Sequence, residues 1–288
     1  MDRRHFLSGL PLAALAALPV LRAPASALQT GVRARKLGPL GIQLYTLREL
    51  AARDLDAALR AIAAAGYQEV ELLGFTRNYG HSPAEVRAML DAHGLKAPST
   101  HVDAGYISAD LERHIESAKT MGHQYLVVAS FAPDEHETLD DYKAWADVFN
   151  RVGDTLRKHG MWLSFHNHAD DFKVLDGQVP YDVFMQRTDP ALVRHEFDIG
   201  NLVEAGRDPM DYLRRFGSRY WLFHVKDPVK AGAAGDTVVG HGIMDWKQFF
   251  AAVERPQEKH FFVEQEQLGP DAQADIRGSR EYLQNLEY

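Results

Sequence analysis

The chain has no cysteine among its 288 residues. Disulfide bonds and thiolate metal ligands are therefore excluded, and any metal must be held by His, Asp, Glu, Asn or Gln side chains. Basic residues are also few, since 32 Lys and Arg stand against 40 Asp and Glu. The resulting formal charge of −8, without a basic stripe, argues against nucleic acid as a partner.

The marked apolar run at the amino terminus is too short to predict a membrane-spanning helix. This run, Leu7–Leu21, has 15 residues and contains two prolines, whereas a span needs roughly 20 residues. It follows Arg3-Arg4 and precedes Ala25-Ser26-Ala27, an A-x-A cleavage site. Residues 1–27 are therefore predicted to be a twin-arginine export signal that leads to the periplasm and leaves no membrane segment after cleavage. A retained membrane anchor is the alternative interpretation.

The remaining chain, Leu28–Tyr288, is predicted to be one α/β domain, a single (β/α)8 TIM barrel. Its 261 residues match the size of one barrel domain, and they carry a net charge of −10. An open doubly wound sheet is the alternative fold, but the sequence has no G-x-G-x-x-G fingerprint to support it. Eight strand-like segments alternate with helical periodicity: Gly41–Thr46, Tyr67–Leu72, Leu95–His101, His123–Ala129, Met161–His168, Leu192–Asp198, Arg219–Lys226 and His260–Gln265.

Helices are predicted between these segments from apolar periodicity and from capping residues. The first has apolar residues at Leu55, Leu59 and Ile62, and Gly66 follows it. Ser82 gives the next helix an N-cap, and a proline follows at the first helical position. The predicted helices are Asp54–Ala65, Pro83–His93, Leu139–Lys158, Tyr181–Arg187, Pro209–Phe216, Trp246–Val253 and Ala272–Leu286.

Polar residues occupy the carboxyl ends of the predicted strands, where barrel enzymes form their active sites. Side chains two residues apart on a strand share a face. This rule pairs His166 with His168, Glu196 with Asp198, His224 with Lys226, and Glu264 with Glu266. If these faces point into the barrel, two imidazoles and two carboxylates converge, a set that suits Mn²⁺, Co²⁺, Fe²⁺ or Zn²⁺. The converging residues are His166, Asp198, His224 and Glu264.

Each candidate also has a structural interpretation. A histidine at a strand end can be a core or rim residue, Asp198 can cap a helix, and Lys226 can form a surface ion pair with Asp227. Glu264 follows the apolar run Phe261–Val263, and a carboxylate beside such a run needs a partner, which a metal would supply. Weaker candidates lie at other strand ends and loops: Glu71, His101, Tyr45, Arg48 and His241.

Seven motifs, taken in order, resemble the xylose-isomerase-like TIM barrel superfamily, often called the sugar phosphate isomerase/epimerase family. The resemblance implies a divalent metal at the ends of the fifth to eighth strands, with Mn²⁺ preferred and Co²⁺, Fe²⁺, Zn²⁺ or Mg²⁺ as alternatives. By position, the implied ligands are His166, Asp198, His224 and Glu264, the same four residues that share inner strand faces in the argument above. The motifs are Gly41–Arg48, Val70–Leu72, Phe165–His168, Phe197–Asn201, Phe223–Asp227, Gly240–Trp246 and Phe262–Gln265.

The sequence departs from this family on the fifth strand. Many relatives have Glu-Asn-His where this chain has His166-Asn167-His168, and in ketose epimerases that glutamate is both a ligand and one of two bases. The resemblance to two-glutamate epimerases does not extend to this position. The His-Asn-His subgroup resembles proteins linked to 3-keto-glycoside cleavage and inosose dehydration. Because phosphorylated sugars are chiefly cytoplasmic, an exported member is expected to act on an unphosphorylated sugar.

The function implied is a metal-dependent sugar isomerase or epimerase, which removes a proton α to a carbonyl and stabilises the resulting enediolate. The same first step leads to β-elimination in a 3-keto-glycoside lyase or dehydratase, which is the alternative. The candidate catalytic residues are Glu264, Lys226, His168 and Glu71. The candidate substrate-binding residues are His101, Tyr45, Arg48 and His241.

Two other classes stay open, a metal-dependent hydrolase and a non-catalytic periplasmic sugar-binding protein. The acidic charge disfavours a nuclease, and a sugar binder would not need this ligand set. The expected partner is a sugar, keto sugar or glycoside, and a homo-oligomer is compatible with the sequence. The glycine-rich stretch Lys230–Gly242, after the seventh strand, is predicted to be a mobile loop, either a lid over the mouth or a surface loop.

Overall fold

The computed structural model describes residues 35–132 and 136–288. The predicted export signal, residues 1–27, lies outside the described residues, so the signal and its periplasmic destination stay predictions. Within the part of the chain that is described, no helix combines the length and apolar character needed to cross a membrane.

Eight parallel strands close into a barrel, which confirms the predicted (β/α)8 fold. Each strand pairs with its neighbours in sequence, and β1 pairs with β8 to close the ring, with Gly41 opposite Phe262. The strands are β1 Leu40–Gln43, β2 Glu69–Leu73, β3 Lys96–Val102, β4 Tyr125–Val128, β5 Trp162–His166, β6 Val193–Asp198, β7 Tyr220–Val225 and β8 His260–Val263.

Eleven α-helices occur in the described ranges and pack around the barrel. Asp54 divides the first helical stretch in two, because its side chain accepts a hydrogen bond from the backbone N–H of Ala57 and so caps the second helix. The helices are α1 Arg48–Arg53, α2 Leu55–Ala64, α3 Pro83–His93, α4 Ala104–Ala109, α5 Leu111–Met121, α6 Leu139–Lys158, α7 Pro180–Arg187, α8 Ile199–Glu204, α9 Pro209–Phe216, α10 Trp246–Ala252 and α11 Ala272–Asn285.

The predicted strands have the right order and direction, but several are too long at their ends. The first strand stops at Gln43, because its side chain caps the 3₁₀ helix Leu44–Leu47 that follows. β7 and β8 stop before Lys226 and Glu264, so these two residues lie just beyond the paired strands. Four helices lie outside the predicted set: α1, α4, α5 and α8.

The barrel interior is apolar at its amino-terminal end and polar toward its carboxyl-terminal end. Tyr125, Val127, Leu222 and Phe262 form a buried apolar cluster of their own within the barrel. The Phe262 ring fills the space that a side chain at residue 41 would need, since a Cβ on Gly41 would lie 2.4 Å from Cδ1 of Phe262. This plug leaves the opposite end of the barrel for polar side chains.

The loop after β7 is anchored to the barrel by Asp227, which has no exposed surface. Its carboxylate accepts hydrogen bonds from the backbone N–H groups of Gly240, Gly242 and Met244 and from the indole N–H of Trp246, at 2.7 to 3.3 Å. The stretch predicted to be a mobile loop is therefore held at its carboxyl-terminal end. If the loop moves as a lid, its carboxyl-terminal end either stays with Asp227 or loses these hydrogen bonds.

Candidate metal centre and active site

The four side chains predicted to hold a metal meet at the carboxyl-terminal end of the barrel. His166 and Asp198 end β5 and β6, His224 is the penultimate residue of β7, and Glu264 directly follows β8. Their potential ligand atoms all lie within 4.8 Å of one another. All four side chains are buried, so this metal cluster, as we name it, lies inside the barrel rather than on its rim.

The separations between these atoms are close to those expected around a metal ion. His166 Nε2 lies 3.1 Å from His224 Nδ1 and 3.3 Å from Asp198 Oδ2, and His224 Nδ1 lies 3.3 Å from Glu264 Oε2. Tetrahedral metal bonds of about 2.0–2.2 Å place ligand atoms about 3.3–3.6 Å apart. The cluster could therefore hold a divalent metal. Its identity, and the role of each residue as a ligand, stay predictions.

Asn167 fixes Asp198 from the neighbouring strand. Its side-chain amide donates a hydrogen bond to the Asp198 carbonyl and accepts one from the Asp198 N–H, both at 3.0 Å. Asp198 Oδ1 in turn accepts the backbone N–H of Asn201 at 2.7 Å and caps α8. The helix-cap interpretation of Asp198 thus holds for Oδ1, while Oδ2 remains directed at His166.

Lys226 lies beside the metal cluster. Its Nζ is 3.3 Å from Glu264 Oε2 and 4.0 Å from Asp198 Oδ2, and it also contacts the carboxylate of Glu266. A Cβ on Gly200 would lie 2.6 Å from Lys226 Cγ, so the glycine leaves room for the lysine stem. Burial disfavours the ammonium, but the adjacent carboxylates outweigh it and raise the pKa of Lys226 above its usual value. Lys226 is therefore a cation at neutral pH.

Two carboxylates of the metal cluster are ionised because cationic groups surround them. Burial alone would raise the pKa of Glu264, but the Lys226 ammonium and His224 lower it to about 2. Burial also opposes ionisation of Asp198, and Lys226 together with His166 holds the pKa of this carboxyl well below its usual value. Both carboxylates are negatively charged at neutral pH and thus suited to a cation.

A second group of buried polar side chains lies deeper in the barrel and contacts His224 from its other edge. Glu71 Oε2 and Glu196 Oε2 lie 2.7 and 3.3 Å from His224 Nε2. The same two oxygens lie 3.1 and 2.8 Å from His101 Nε2, and Gln43 donates a hydrogen bond to Glu71 at 2.7 Å. We name Gln43, Glu71, His101 and Glu196 the lower ring.

Glu71 and His101, predicted as a catalytic and a substrate-binding residue, both belong to this lower ring. Glu71 has no exposed surface and His101 is 5% exposed. Burial lowers the pKa of His101, but the neighbouring carboxylates Glu71 and Glu196 outweigh it and raise the pKa to about 9. The His224 ring lies between these side chains and the metal cluster, so the structure does not bring Glu71 or His101 to the mouth.

His168 is the candidate catalytic residue that lies closest to solvent. The residue as a whole is exposed, although the surrounding protein desolvates its imidazole, and the centre of the ring is 4.8 Å from that of His166. Desolvation by the surrounding protein, together with the proximity of His166, lowers the pKa of His168 below its usual value of 6.5. Its backbone N–H donates to Asp171 Oδ2 at 2.7 Å, and Tyr142 fixes that carboxylate from the other side.

Of the other predicted substrate-binding residues, two lie together and one lies apart. The Arg48 guanidinium is 4.5 Å from the centre of the Tyr45 ring and donates a hydrogen bond to the Glu266 carbonyl at 3.3 Å. These contacts place Tyr45 and Arg48 beside the segment that follows β8. His241 is exposed on the loop after β7. No contact between its side chain and the metal cluster is seen within residues 35–132 and 136–288.

Several polar residues that shape the site lie outside the predicted set. Glu196 shares its strand face with Asp198, and Gln43 ends β1, so strand parity applied to every strand end would have identified both. Asn201 hydrogen-bonds the Asn167 carbonyl at 3.1 Å and accepts from Lys226 at 3.2 Å. Asn201 follows β6 and contacts residues that follow β5 and β7. A contact between the ends of three strands leaves no local pattern in the sequence.

Comparison with known proteins identifies the family. The model of the family described as "Xylose isomerase-like TIM barrel" matches residues 59–286. The chain therefore belongs to this family, as its motifs predict.

Three relatives show what the chain resembles. An inosose dehydratase from Lacticaseibacillus casei is 26% identical over 255 residues, which cover 76% of this chain and 84% of that protein. The structure of a sugar phosphate isomerase/epimerase from Parabacteroides distasonis has a TM-score of 0.74 at 25% identity, over 86% of this chain and 98% of that one. The IOLI protein, whose crystal structure contains a zinc atom, has a TM-score of 0.65 at 16% identity, over 85% of this chain and 96% of that one. At this identity the likeness supports a shared fold and nothing more. The first two proteins are named as enzymes of lyase and isomerase type, and this chain is an enzyme of the same family.

Proposed function

We propose that the protein is a metal-dependent enzyme that removes the proton α to the carbonyl of an unphosphorylated keto sugar or ketone-bearing cyclitol and then eliminates a β-substituent. The observation that carries this proposal is the buried group of two imidazoles and two carboxylates at the end of the barrel. His166, Asp198, His224 and Glu264 would hold the metal. When bound, it supplies Lewis acidity to a carbonyl or hydroxyl oxygen of the substrate.

We assign acceptance of the α proton to His168. It is an exposed residue beside His166, with ring centres 4.8 Å apart, and the downward direction of its pKa shift favours the unprotonated imidazole. Glu264 is less suited because Lys226 already contacts its carboxylate, and Glu71 lies in the lower ring. A neutral imidazole in reach of the substrate is a suitable general base.

Lys226 is placed to stabilise the oxygen that gains negative charge as the proton leaves. Its Nζ lies 3.3 Å from Glu264 Oε2 and donates to Asn201 Oδ1 at 3.2 Å. An ammonium in a buried setting next to the reacting oxygen lowers the energy of the charged transition state, because little water is present to screen it. We therefore assign charge stabilisation to Lys226 and proton transfer to His168.

Elimination is favoured over epimerisation by two observations. His166 occupies the fifth-strand position where two-glutamate epimerases have one of their bases, so a second carboxylate base is lacking there. A relative named inosose dehydratase also aligns with 76% of the chain. Isomerisation is the second candidate, because it shares the first step and because a similar structure is named sugar phosphate isomerase/epimerase.

The test is a product analysis by NMR, with protein that begins at Leu28. An inosose, a 3-keto-glycoside and free ketoses are each offered to Mn²⁺-loaded protein and to the same protein treated with a chelator. We expect one of the first two to lose water or its aglycone, and only when the metal is present. Interconversion of ketoses would support the isomerase instead. No reaction despite bound metal would overturn the proposal in favour of hydrolysis or sugar binding without chemistry.

Export to the periplasm is a separate proposal, which the sequence of residues 1–27 supports through Arg3-Arg4 and the A-x-A site. Replacement of both arginines by lysine keeps the charge but removes the twin-arginine pair. We expect the wild-type protein in the periplasmic fraction and the double variant in the cytoplasmic fraction. Equal distribution of the two proteins would contradict the proposed route.

A further inference from the structure

His224 is contacted at both nitrogens of its imidazole ring. Nδ1 faces the metal cluster, 3.1 Å from His166 Nε2 and 3.3 Å from Glu264 Oε2. Nε2 faces the lower ring, 2.7 Å from Glu71 Oε2. A neutral imidazole carries a single N–H, so the nitrogen that holds the hydrogen determines which nitrogen can bind a metal.

The two shortest contacts of the lower ring have the length of hydrogen bonds. His224 Nε2 lies 2.7 Å from Glu71 Oε2, and His101 Nε2 lies 2.8 Å from Glu196 Oε2. Ligand atoms around a tetrahedral metal with bonds of about 2.0–2.2 Å would be about 3.3 Å or more apart. These two contacts are therefore hydrogen bonds, in which the carboxylates of the lower ring accept imidazole N–H groups.

Glu71 is held rigidly in its place under His224. Gln43 donates a hydrogen bond at 2.7 Å to Oε2 of Glu71, the same atom that faces His224. His101 contacts this oxygen as well, at 3.1 Å. Because Glu71 has no exposed surface, water does not compete for its carboxylate, and its hydrogen bond with His224 is correspondingly strong.

We propose that Glu71 is a positioning residue that selects the Nε2–H tautomer of His224, so that Nδ1 presents its lone pair to the metal. The inference rests on the proposed function, because it requires a metal at the cluster. A carboxylate that accepts the free N–H of a metal-bound imidazole orients the ring and increases its basicity. Glu71 thereby acts through His224 and not as a base on the substrate.

The experiment compares Glu71→Gln with a matched control, Glu69→Gln. Glu69 lies two residues earlier on β2 and contacts His260 Nδ1 at 2.8 Å, so it forms the same kind of carboxylate–imidazole pair away from the metal cluster. Zn²⁺ dissociation constants are measured by competition with a chromophoric chelator at fixed pH. We expect Glu71→Gln to bind Zn²⁺ about 10–100-fold more weakly than wild type and Glu69→Gln to bind it as wild type does.

The tautomer is measured directly on the wild-type protein, so the test does not depend on whether a variant folds. Nitrogen NMR of the Zn²⁺-loaded protein with ¹⁵N-labelled histidine is expected to show a protonated Nε2 and a metal-bound Nδ1 for His224. A protonated Nδ1, or tight Zn²⁺ binding by a folded Glu71→Gln variant, overturns the inference and leaves the proposed function standing. Failure of the wild-type protein to bind Zn²⁺ or Mn²⁺ overturns the proposed function and the inference with it.

Discussion

Lys226 Nζ lies 3.3 Å from Glu264 Oε2, and both side chains are buried. The contact joins a candidate metal ligand to the cation that we assign to charge stabilisation. Burying two charges costs free energy unless their mutual attraction and further hydrogen bonds offset it. Asn201 and Glu266 provide further contacts to the ammonium, so the lysine is held in one place before a substrate arrives.

Replacing Lys226 by Met is expected to slow turnover far more than it weakens metal binding. The methionine keeps the length of the stem next to Gly200 but removes the cation, and loss of one charge-stabilising donor typically lowers kcat by about 10²–10³-fold. Steady-state kinetics and a metal titration of the same preparation measure the two effects. Lys230→Met, at an exposed lysine of the following loop, serves as the control. A Lys226→Met variant with wild-type kcat would remove Lys226 from the mechanism.

Replacement of either Asp198 or His224 by Ala is expected to abolish stoichiometric metal binding. Each change removes one of four ligand atoms, either a carboxylate charge or an imidazole, from a buried cluster, so the metal is held too weakly to survive dialysis. Metal content after dialysis is measured by mass spectrometry beside His241→Ala, whose exposed histidine has no expected ligand role. Full metal content and full activity in either of the first two variants would contradict the assignment of the cluster.

Asp227→Asn is expected to destabilise the protein and loosen the loop after β7. The buried carboxylate accepts four N–H groups, and the neutral amide accepts them less well and brings two donors that lack acceptors. Hydrogen bonds to a charged group contribute about 1.5–3 kcal/mol each, so we expect a loss of at least about 2 kcal/mol in the free energy of unfolding in urea. Asp176→Asn, at an exposed aspartate, should change it by less than about 0.5 kcal/mol. Equal stability of the two variants would show that Asp227 does not anchor the loop.

Acid is expected to destabilise the fold partly through His123. This histidine is buried between β3 and α5, where its Nδ1–H donates to the Ala97 carbonyl at 2.6 Å, and burial lowers its pKa to about 4. The unfolded chain binds the proton near pH 6.5 and the folded chain only near pH 4. The neutral, buried His123 therefore contributes about 3 kcal/mol to the free energy of unfolding above about pH 6.5. This contribution is lost as the pH falls to about 4.

The variant His123→Asn keeps a donor near Ala97 but has no group that titrates in this range. Its free energy of unfolding, measured with a chelator present from pH 7 to pH 4, should fall less steeply than that of the wild type. His159→Asn, which replaces an exposed histidine, should retain the wild-type slope. Parallel curves for His123→Asn and the wild type would rule out His123 as the cause.

The fold and the metal cluster could be predicted from sequence because both follow from simple periodicities. Apolar runs predict the eight strands, and Gly66, which adopts a positive φ after the first predicted helix, predicts where that helix ends. Parity along β5 and β6 selected the inner faces that carry His166 and Asp198. These signals are local, since they depend only on which way successive side chains point.

Depth within the barrel could not be predicted in the same way. Parity places both Glu71 and Glu264 on the inner face, yet Glu71 lies in the lower ring and Glu264 at the metal cluster. Strands in a barrel are tilted and staggered, so residues at similar positions on different strands lie at different heights. The position of His241 likewise depends on the path of its loop, which the hydrogen bonds of Asp227 determine and which no repeat in the sequence reports.

We infer above all that this site removes a proton next to a carbonyl with the help of a metal. The most direct measurement follows solvent deuterium in an inosose or 3-keto-glycoside incubated in D₂O with Mn²⁺-loaded protein, stopped with excess chelator before the NMR spectrum is recorded. We expect loss of the α hydrogen, seen either as deuterium at the α carbon of recovered substrate or as an elimination product that lacks this hydrogen. The loss should be strongly slowed in His168→Asn and should not occur without metal. Loss of the α hydrogen that is unaffected by chelator, or full retention of that hydrogen while the metal is bound, would contradict this mechanism.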